Sequence, residues 1–112
     1  MYKILEELNK ASGIIGSMIV GSDGIVIAAD LGTSLQEETL GALAASIMGT
    51  AQKSMERLKK NPLRQVTAEA EGGKIFLSDV GIGYLVVATE PSVNIGLIRL
   101  EIRNAASQIK IK

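Results

Sequence analysis

The side chains that could take part in catalysis or cofactor binding are few, and none has the spacing of a known motif. Histidine and cysteine are both absent, which removes Ser-His and Cys-His catalysis, disulfides and the usual zinc and haem ligands. Acidic residues form three close pairs: Glu6 and Glu7, Glu37 and Glu38, and Glu69 and Glu71. The first two pairs lie at predicted helix starts, where negative charge interacts favourably with the helix dipole. The third lies on the solvated side of a predicted strand. We therefore expect no enzymatic activity, no metal site and no cofactor.

Phosphate-binding motifs are missing from the sequence as well. A phosphate-binding loop needs glycines, a lysine and a following Ser or Thr at fixed spacing. Gly73-Lys74 is followed by Ile75, and Gly81-Ile82-Gly83 has Val86 where a third glycine would be needed, so both segments are interpreted as turns. Four arginines could contact an anionic partner, and each is interpreted as a surface charge: Arg57, Arg64, Arg99 and Arg103.

Composition narrows the function classes further. The 112 residues are 46% apolar, as expected for a single globular domain over 1–112, and twelve basic residues balance twelve acidic ones. Neutral charge and only three aromatic residues argue against a nucleic-acid surface. No apolar run approaches the roughly 20 residues of a membrane-spanning helix, so we expect no direct membrane insertion. The absence of a signal peptide pattern predicts a cytoplasmic protein.

Hydrophobic periodicity predicts three helices and five strands. Asp23-Gly24 lies between two apolar runs and predicts a hairpin with a type I′ turn. Thr33 or Ser34 can cap the long central helix, with Ser34 and Glu37 in capping-box spacing, and Asn94 can cap the last helix. The nearly all-apolar last strand should lie at the centre of the sheet. The expected elements are a helix at 2–11, strands at 14–20 and 24–30, a helix at 36–60, strands at 65–71, 74–80 and 84–89, and a helix at 95–109.

The long helix carries more apolar surface than one sheet contact needs. One stripe is expected to pack on the sheet: Leu40, Leu43, Ala44, Ile47, Ala51 and Leu58. A second stripe consists of small and flexible residues: Gly41, Ala45, Met48, Gly49, Gln52 and Met55. Glycine within a helix costs about 1 kcal/mol relative to alanine, so this stripe needs a packing reason. It contacts either the terminal helices of the same chain or, as we expect, the helix of a second copy, while a third face is solvated: Ala42, Ser46, Thr50, Lys53 and Arg57.

Several segments resemble the Roadblock/dynein light chain family. They are Ser22-Asp23-Gly24 with the following Ile25-Val26-Ile27-Ala28, the long helix rich in Leu, Ala and Met, and the ending from Asn94 to Leu100 with Ala105-Ala106. The resemblance implies an α+β fold with a five-stranded antiparallel sheet, helices on its faces and the element order αββαβββα, of the Roadblock/longin type. It also implies homodimers or heterodimers whose third strands pair edge to edge and whose long helices lie side by side.

The resemblance implies a function in protein–protein interaction. Members regulate or scaffold small Ras-like GTPases or serve as adaptors, so we expect a non-enzymatic homodimeric scaffold that binds a small GTPase and modulates its GTP hydrolysis. The alternative is a structural adaptor that pairs with other Roadblock or longin-type proteins without any link to nucleotide. The expected dimer interface comprises Gly41, Ala45, Met48, Gly49, Gln52, Val66, Thr67, Ala68 and Glu69. The expected partner-binding residues are Gln52, Lys53, Met55, Glu56 and Arg57.

Overall fold

The helices and strands follow the predicted order. The computed structural model describes residues 1–32 and 35–111, and the proposed cap residues Thr33 and Ser34 lie outside them. The elements are α1 (Tyr2–Asn9), β1 (Ile14–Val20), β2 (Val26–Asp30), α2 (Glu37–Arg57), β3 (Gln65–Ala70), β4 (Gly73–Asp79), β5 (Tyr84–Thr89) and α3 (Ile95–Ile111). The order αββαβββα is therefore confirmed.

The five strands form one sheet in the order β2-β1-β5-β4-β3. All four neighbouring pairs are antiparallel. The apolar strand β5 lies at the centre, as predicted, and five of its six residues are buried. The two edge strands are β2 and β3, so each has one side without a strand partner among the described residues.

Helices cover both faces of the sheet. On one face, α1 and α3 pack over a core that includes Leu5, Phe76 and Ile102. Ser17 is fully buried on this side, where its hydroxyl donates to Asn9 Oδ1 at 2.7 Å. Asn9 Nδ2 in turn donates to the Asp30 carbonyl oxygen at 2.8 Å. One side chain at the end of α1 thereby joins the helix to both β1 and β2.

The second face of the sheet is covered by α2 alone. Its core contains Met18, Met48, Leu77 and Val86, all of which are buried. The helix packs over β1, β2 and β5, and thus over the β2 side of the sheet. The β3 edge on this face is less covered, because Ala68 at that edge is exposed.

The β1–β2 turn differs from the predicted type I′ turn. Such a turn needs positive φ at both central residues, but of Asp23 and Gly24 only Gly24 has it, with φ of +87°. The turn closes through a 2.9 Å hydrogen bond from Gly24 N to Gly21 O, and Asp23 Oδ1 accepts from Ile25 N at 3.0 Å. The aspartate side chain thus stabilises a longer loop, so β2 begins at Val26 rather than Gly24.

Helix α2 ends before the predicted boundary at Lys60. Lys59 has φ of +58°, and Lys60 N donates to Met55 O at 2.8 Å while Lys59 N donates to Glu56 O at 3.0 Å. These two bonds form a Schellman motif, which satisfies the last carbonyls and reverses the chain. The motif therefore ends the helix before Pro62 is reached.

The terminal helices differ from prediction only at their ends. The α1 helix stops at Asn9 rather than residue 11, and α3 continues to Ile111 rather than ending near residue 109. The predicted cap of α3 is confirmed, because Leu97 N donates to Asn94 Oδ1 at 3.1 Å.

Candidate interaction surface on α2 and β3

The side of α2 that packs on the sheet differs from the predicted side by a rotation about the helix axis. Met48 is only 1% exposed and packs in the core of its own chain. A Cβ added at Gly41 would lie 3.1 Å from the Gly24 carbonyl oxygen and 3.2 Å from Val20 Cγ2. The assignment of Gly41 and Met48 to a face that contacts a second copy is therefore wrong. Their side of the helix packs against the sheet and the β1–β2 turn.

The small residues explain why this side faces inward. Gly41 lets the helix backbone approach the β1–β2 turn. From the other side of this contact, a Cβ added at Gly24 in the turn would lie 3.7 Å from the Ala45 Cβ. Ala45 and Gly49 are half-buried, and a Cβ added at Gly49 would meet no atom within 4 Å. Close approach thus accounts for the glycine at 41 and leaves Gly49 without a packing partner in the described chain.

Gln52 also has a role within the chain. Its Oε1 accepts a hydrogen bond from Leu63 N at 3.0 Å, and its Nε2 donates to Glu56 Oε1 at 3.3 Å. Leu63 is buried beside α2, two residues before β3 begins. Gln52 therefore holds the segment that leads into the edge strand, and whether it also contacts another molecule stays a prediction.

An apolar stripe on the flank of α2 next to the buried Leu40 is exposed. Leu43 and Ile47 are 54% and 42% exposed, and Leu58 just beyond the helix is exposed too. These three residues were expected on the sheet, so that part of the prediction is wrong. We call Leu43, Ile47 and Leu58 the α2 stripe. Because α2 is apolar around much of its circumference, periodicity did not reveal its rotation, whereas the small residues at Gly41 and Ala44 could have indicated it.

The expected interface residues of β3 lie at a free strand edge. On its inner side, β3 pairs with β4 through partners such as Val66–Leu77 and Ala68–Ile75. Val66 packs against the core beneath α2, whereas Ala68 and Glu69 are exposed and Thr67 is half-buried. A free edge of this kind presents unpaired backbone groups that can pair with another strand.

The predicted partner-binding residues gather near the end of α2. Lys53, Glu56 and Arg57 are exposed, while Met55 is half-buried and packs against the core beneath the helix. The exposed charges therefore lie on the last turns of α2, at the end from which the chain continues toward β3. Their contact with a partner stays a prediction.

Ion pairing within the described residues is limited. The exposed pair Lys10–Glu7, at 2.9 Å, is the one ion pair in the described part of the chain, and its hydrogen bond raises the pKa of Lys10. Within residues 1–32 and 35–111, no three acidic side chains group as a metal site requires. No helix in the same ranges is long and apolar enough to span a membrane.

Comparison with known proteins identifies the family. A model of the Roadblock/LC7 domain matches residues 1–89, and the chain belongs to the Roadblock/LC7 family. It is 44% identical over 108 residues to the uncharacterized protein MJ0310 of Methanocaldococcus jannaschii, with 96% of this chain and 95% of that protein covered. The uncharacterized protein MJ0714 of the same organism is 42% identical over 108 residues, with coverage of 96% and 92%.

Solved structures share the fold at low sequence identity. A Roadblock/LC7 domain from Streptomyces avermitilis superposes with a TM-score of 0.91 at 18% identity, covering 98% of this chain and 94% of that one. Myxococcus xanthus MglB gives 0.90 at 19% identity, with coverage of 96% and 83%. MglC from Myxococcus xanthus gives 0.67 at 22% identity, with coverage of 98% and 96%. These neighbours confirm the predicted α+β fold.

Proposed function

We propose that this protein is a non-enzymatic homodimeric scaffold that binds a small Ras-like GTPase. The observation that carries the proposal is the exposed α2 stripe in a fold that also leaves the β3 edge free. Leu43 and Ile47 lie one turn apart on α2 and are both about half exposed. Neighbouring exposed apolar side chains on one helix favour a contact with another molecule, and a free strand edge favours pairing with a second strand.

A second copy fits these features because a two-fold axis makes a self-complementary interface. Antiparallel pairing of β3 with its own copy would satisfy the free edge at Val66 to Glu69. The helix contact of this dimer then involves the α2 stripe, in place of the expected contact through Gly41 and Met48. Leu43 and Ile47 are about half exposed in the single chain, so burying the rest of each contributes about 1 kcal/mol, half of the value for full burial. These four side chains from two protomers would therefore contribute about 4 kcal/mol to a dimer.

The GTPase partner is supported by family membership and by the surface that the dimer would present. Lys53, Glu56 and Arg57 would flank the paired helices, giving a charged margin beside the dimer contact. The switch regions of small GTPases are ordered in the GTP state and released after hydrolysis. A surface that contacts the ordered switches binds the GTP form more tightly, because the contacts exist only in that state.

Calorimetry against purified small GTPases encoded in the same genome tests the proposal. We expect one GTPase to bind the dimer more tightly when loaded with a non-hydrolysable GTP analogue than with GDP. Lys53→Glu combined with Arg57→Glu should weaken this binding, while the control Lys3→Glu with Lys10→Glu, at exposed positions away from α2, should leave it unchanged. Equal affinity for both nucleotide forms, or no GTPase binding, contradicts the proposal and favours the structural adaptor that pairs with Roadblock or longin-type proteins.

A further inference from the structure

Four cationic side chains line one open groove, although the chain as a whole is neutral. The groove lies between α3 and the start of β3 and has a volume of about 260 Å³. Arg99, Arg103 and Lys110 follow one side of α3 at spacings of four and seven residues, and Arg64 comes directly before β3. None of the four forms an ion pair within the described residues. We call this feature the α3 groove.

The α3 groove contains little negative charge to balance the four cations. Asp79 is the one carboxylate that lines it, and its Oδ1 already accepts a hydrogen bond from Gly81 N at 2.8 Å. Ser78 and Gln65 also line the groove and can offer a hydroxyl and an amide to a ligand. Clustered like charges repel each other, so the groove is complementary to an anion.

The backbone around the groove is firmly held. Asp79 N donates to the Arg64 carbonyl oxygen at 2.9 Å, and Gln65 is paired with Ser78 across the β3–β4 ladder. On the other side, Ile98 and Ile102 of α3 are buried in the core beneath the helix. Exposed cationic side chains from α3 and from Arg64, just before β3, therefore line one groove, and a ligand would not need to order the backbone.

The chemistry of the groove favours a phosphate group. Guanidinium groups match phosphate and carboxylate oxygens with paired hydrogen bonds, and a phosphate concentrates up to two negative charges on one centre. Arg99 and Arg103 lie one turn apart, about 6 Å along the axis of α3, so a single phosphate can contact both guanidinium groups, whereas Lys110 lies about 10 Å further along the helix. An extended acidic peptide distributes single charges along its length instead, at about 3.3 Å per residue. We propose that the α3 groove binds a compact phosphate-bearing anion. This site is separate from the α2 stripe, and the proposal does not depend on the proposed function.

Calorimetry with pyrophosphate as the probe tests this site in the full chain at low ionic strength, where charge interactions are least screened. We expect saturable binding, and we expect Arg99→Gln combined with Arg103→Gln to weaken it at least about tenfold, since two charge-assisted hydrogen-bonding groups are lost. The matched control Lys3→Gln with Lys60→Gln removes the same charge from exposed positions elsewhere and should change the affinity less than about twofold. Thermal unfolding followed by circular dichroism confirms that each variant is folded.

A second experiment distinguishes the sources of the phosphate. Phosphatidylcholine vesicles that contain phosphatidic acid are added to each variant in a sedimentation assay. Pyrophosphate binding without vesicle binding supports a soluble phosphorylated ligand, and binding of both in a manner that depends on Arg99 and Arg103 supports a lipid headgroup. The proposal is overturned by absent pyrophosphate binding, by equal loss in both double variants, or by tighter binding of polyglutamate than of pyrophosphate.

Discussion

Replacing Leu43 and Ile47 of the α2 stripe should weaken the proposed dimer while the subunit stays folded. Leu43 and Ile47 are 54% and 42% exposed in the single chain, so about half of each side chain is available for burial in a dimer. Full burial of such a residue contributes about 1.5–3 kcal/mol, and half of it therefore contributes about 1 kcal/mol. Two protomers supply four side chains, so the double variant Leu43→Ala and Ile47→Ala should lose about 4 kcal/mol of dimerisation free energy.

That loss corresponds to an increase of about 1,000-fold in the dimer dissociation constant, since each 1.4 kcal/mol is about tenfold. Sedimentation equilibrium over a concentration series measures it directly. The control Lys53→Ala changes an exposed α2 residue away from the stripe and should leave the dissociation constant within about threefold, because surface changes stay within roughly 0.5 kcal/mol. Equal dissociation constants for the stripe variant and the natural protein would refute the proposed helix contact.

Three further predictions concern stability, measured as the free energy of unfolding in denaturant. Gly49→Ala should stabilise the protein by about 0.5–1 kcal/mol, because alanine has the better helix propensity and its Cβ would lie in open space. Gly41→Ala should instead destabilise it by about 1–3 kcal/mol, because the added Cβ crowds the β1–β2 turn. A change of stability in the same direction for both variants would contradict the packing of α2. Lys59→Gly should stabilise by about 1 kcal/mol because a left-handed backbone costs an L-residue roughly that much, and a loss of stability would argue against the Schellman motif. Asn9→Ala should cost about 1–3 kcal/mol because the buried Ser17 hydroxyl loses its acceptor, and an unchanged unfolding midpoint would show that this hydrogen bond contributes nothing.

Local sequence signals were sufficient to predict the order of the elements. Apolar alternation indicated the strand β3, and the unbroken apolar run of β5 indicated its central position in the sheet. The Asn94 cap of α3 was readable because a side-chain cap depends on residues only three positions apart. Such features involve neighbouring residues, so a single sequence contains the information that they need.

The rotation of α2 could not be read in the same way. Its apolar residues occupy more than one face, and the side that packs inward is chosen by distant partners, chiefly Gly24 and Val20 against Gly41. Close approach of another backbone holds at Gly41 but not at Gly49, and the partner at Gly41 is the β1–β2 turn of the same chain. An isolated helical pattern does not say which surface approaches it.

The α3 groove was missed for a related reason. Arg99, Arg103 and Lys110 share one side of a predicted helix, which the spacing could have indicated. Arg64 reaches the same groove from a position more than thirty residues earlier in the chain, and only the sheet topology brings it there. Interpreting each arginine as a separate surface charge therefore overlooked the groove that Arg64, Arg99 and Arg103 line together.

The central claim is that two copies join through their β3 edges to form the functional scaffold, and disulfide cross-linking tests it most directly. The chain has no cysteine, so single cysteines can be placed in turn at Val66, Thr67, Ala68 and Glu69. Ile27→Cys, on the opposite edge strand β2, is the control. If β3 pairs with its copy, the position nearest the two-fold axis brings two Cα atoms within about 4.4–6.8 Å and oxidises to a covalent dimer. Cross-linking at a β3 position but not at residue 27 is the predicted result. Cross-linking only at residue 27, or at no position on β3, would contradict the claim.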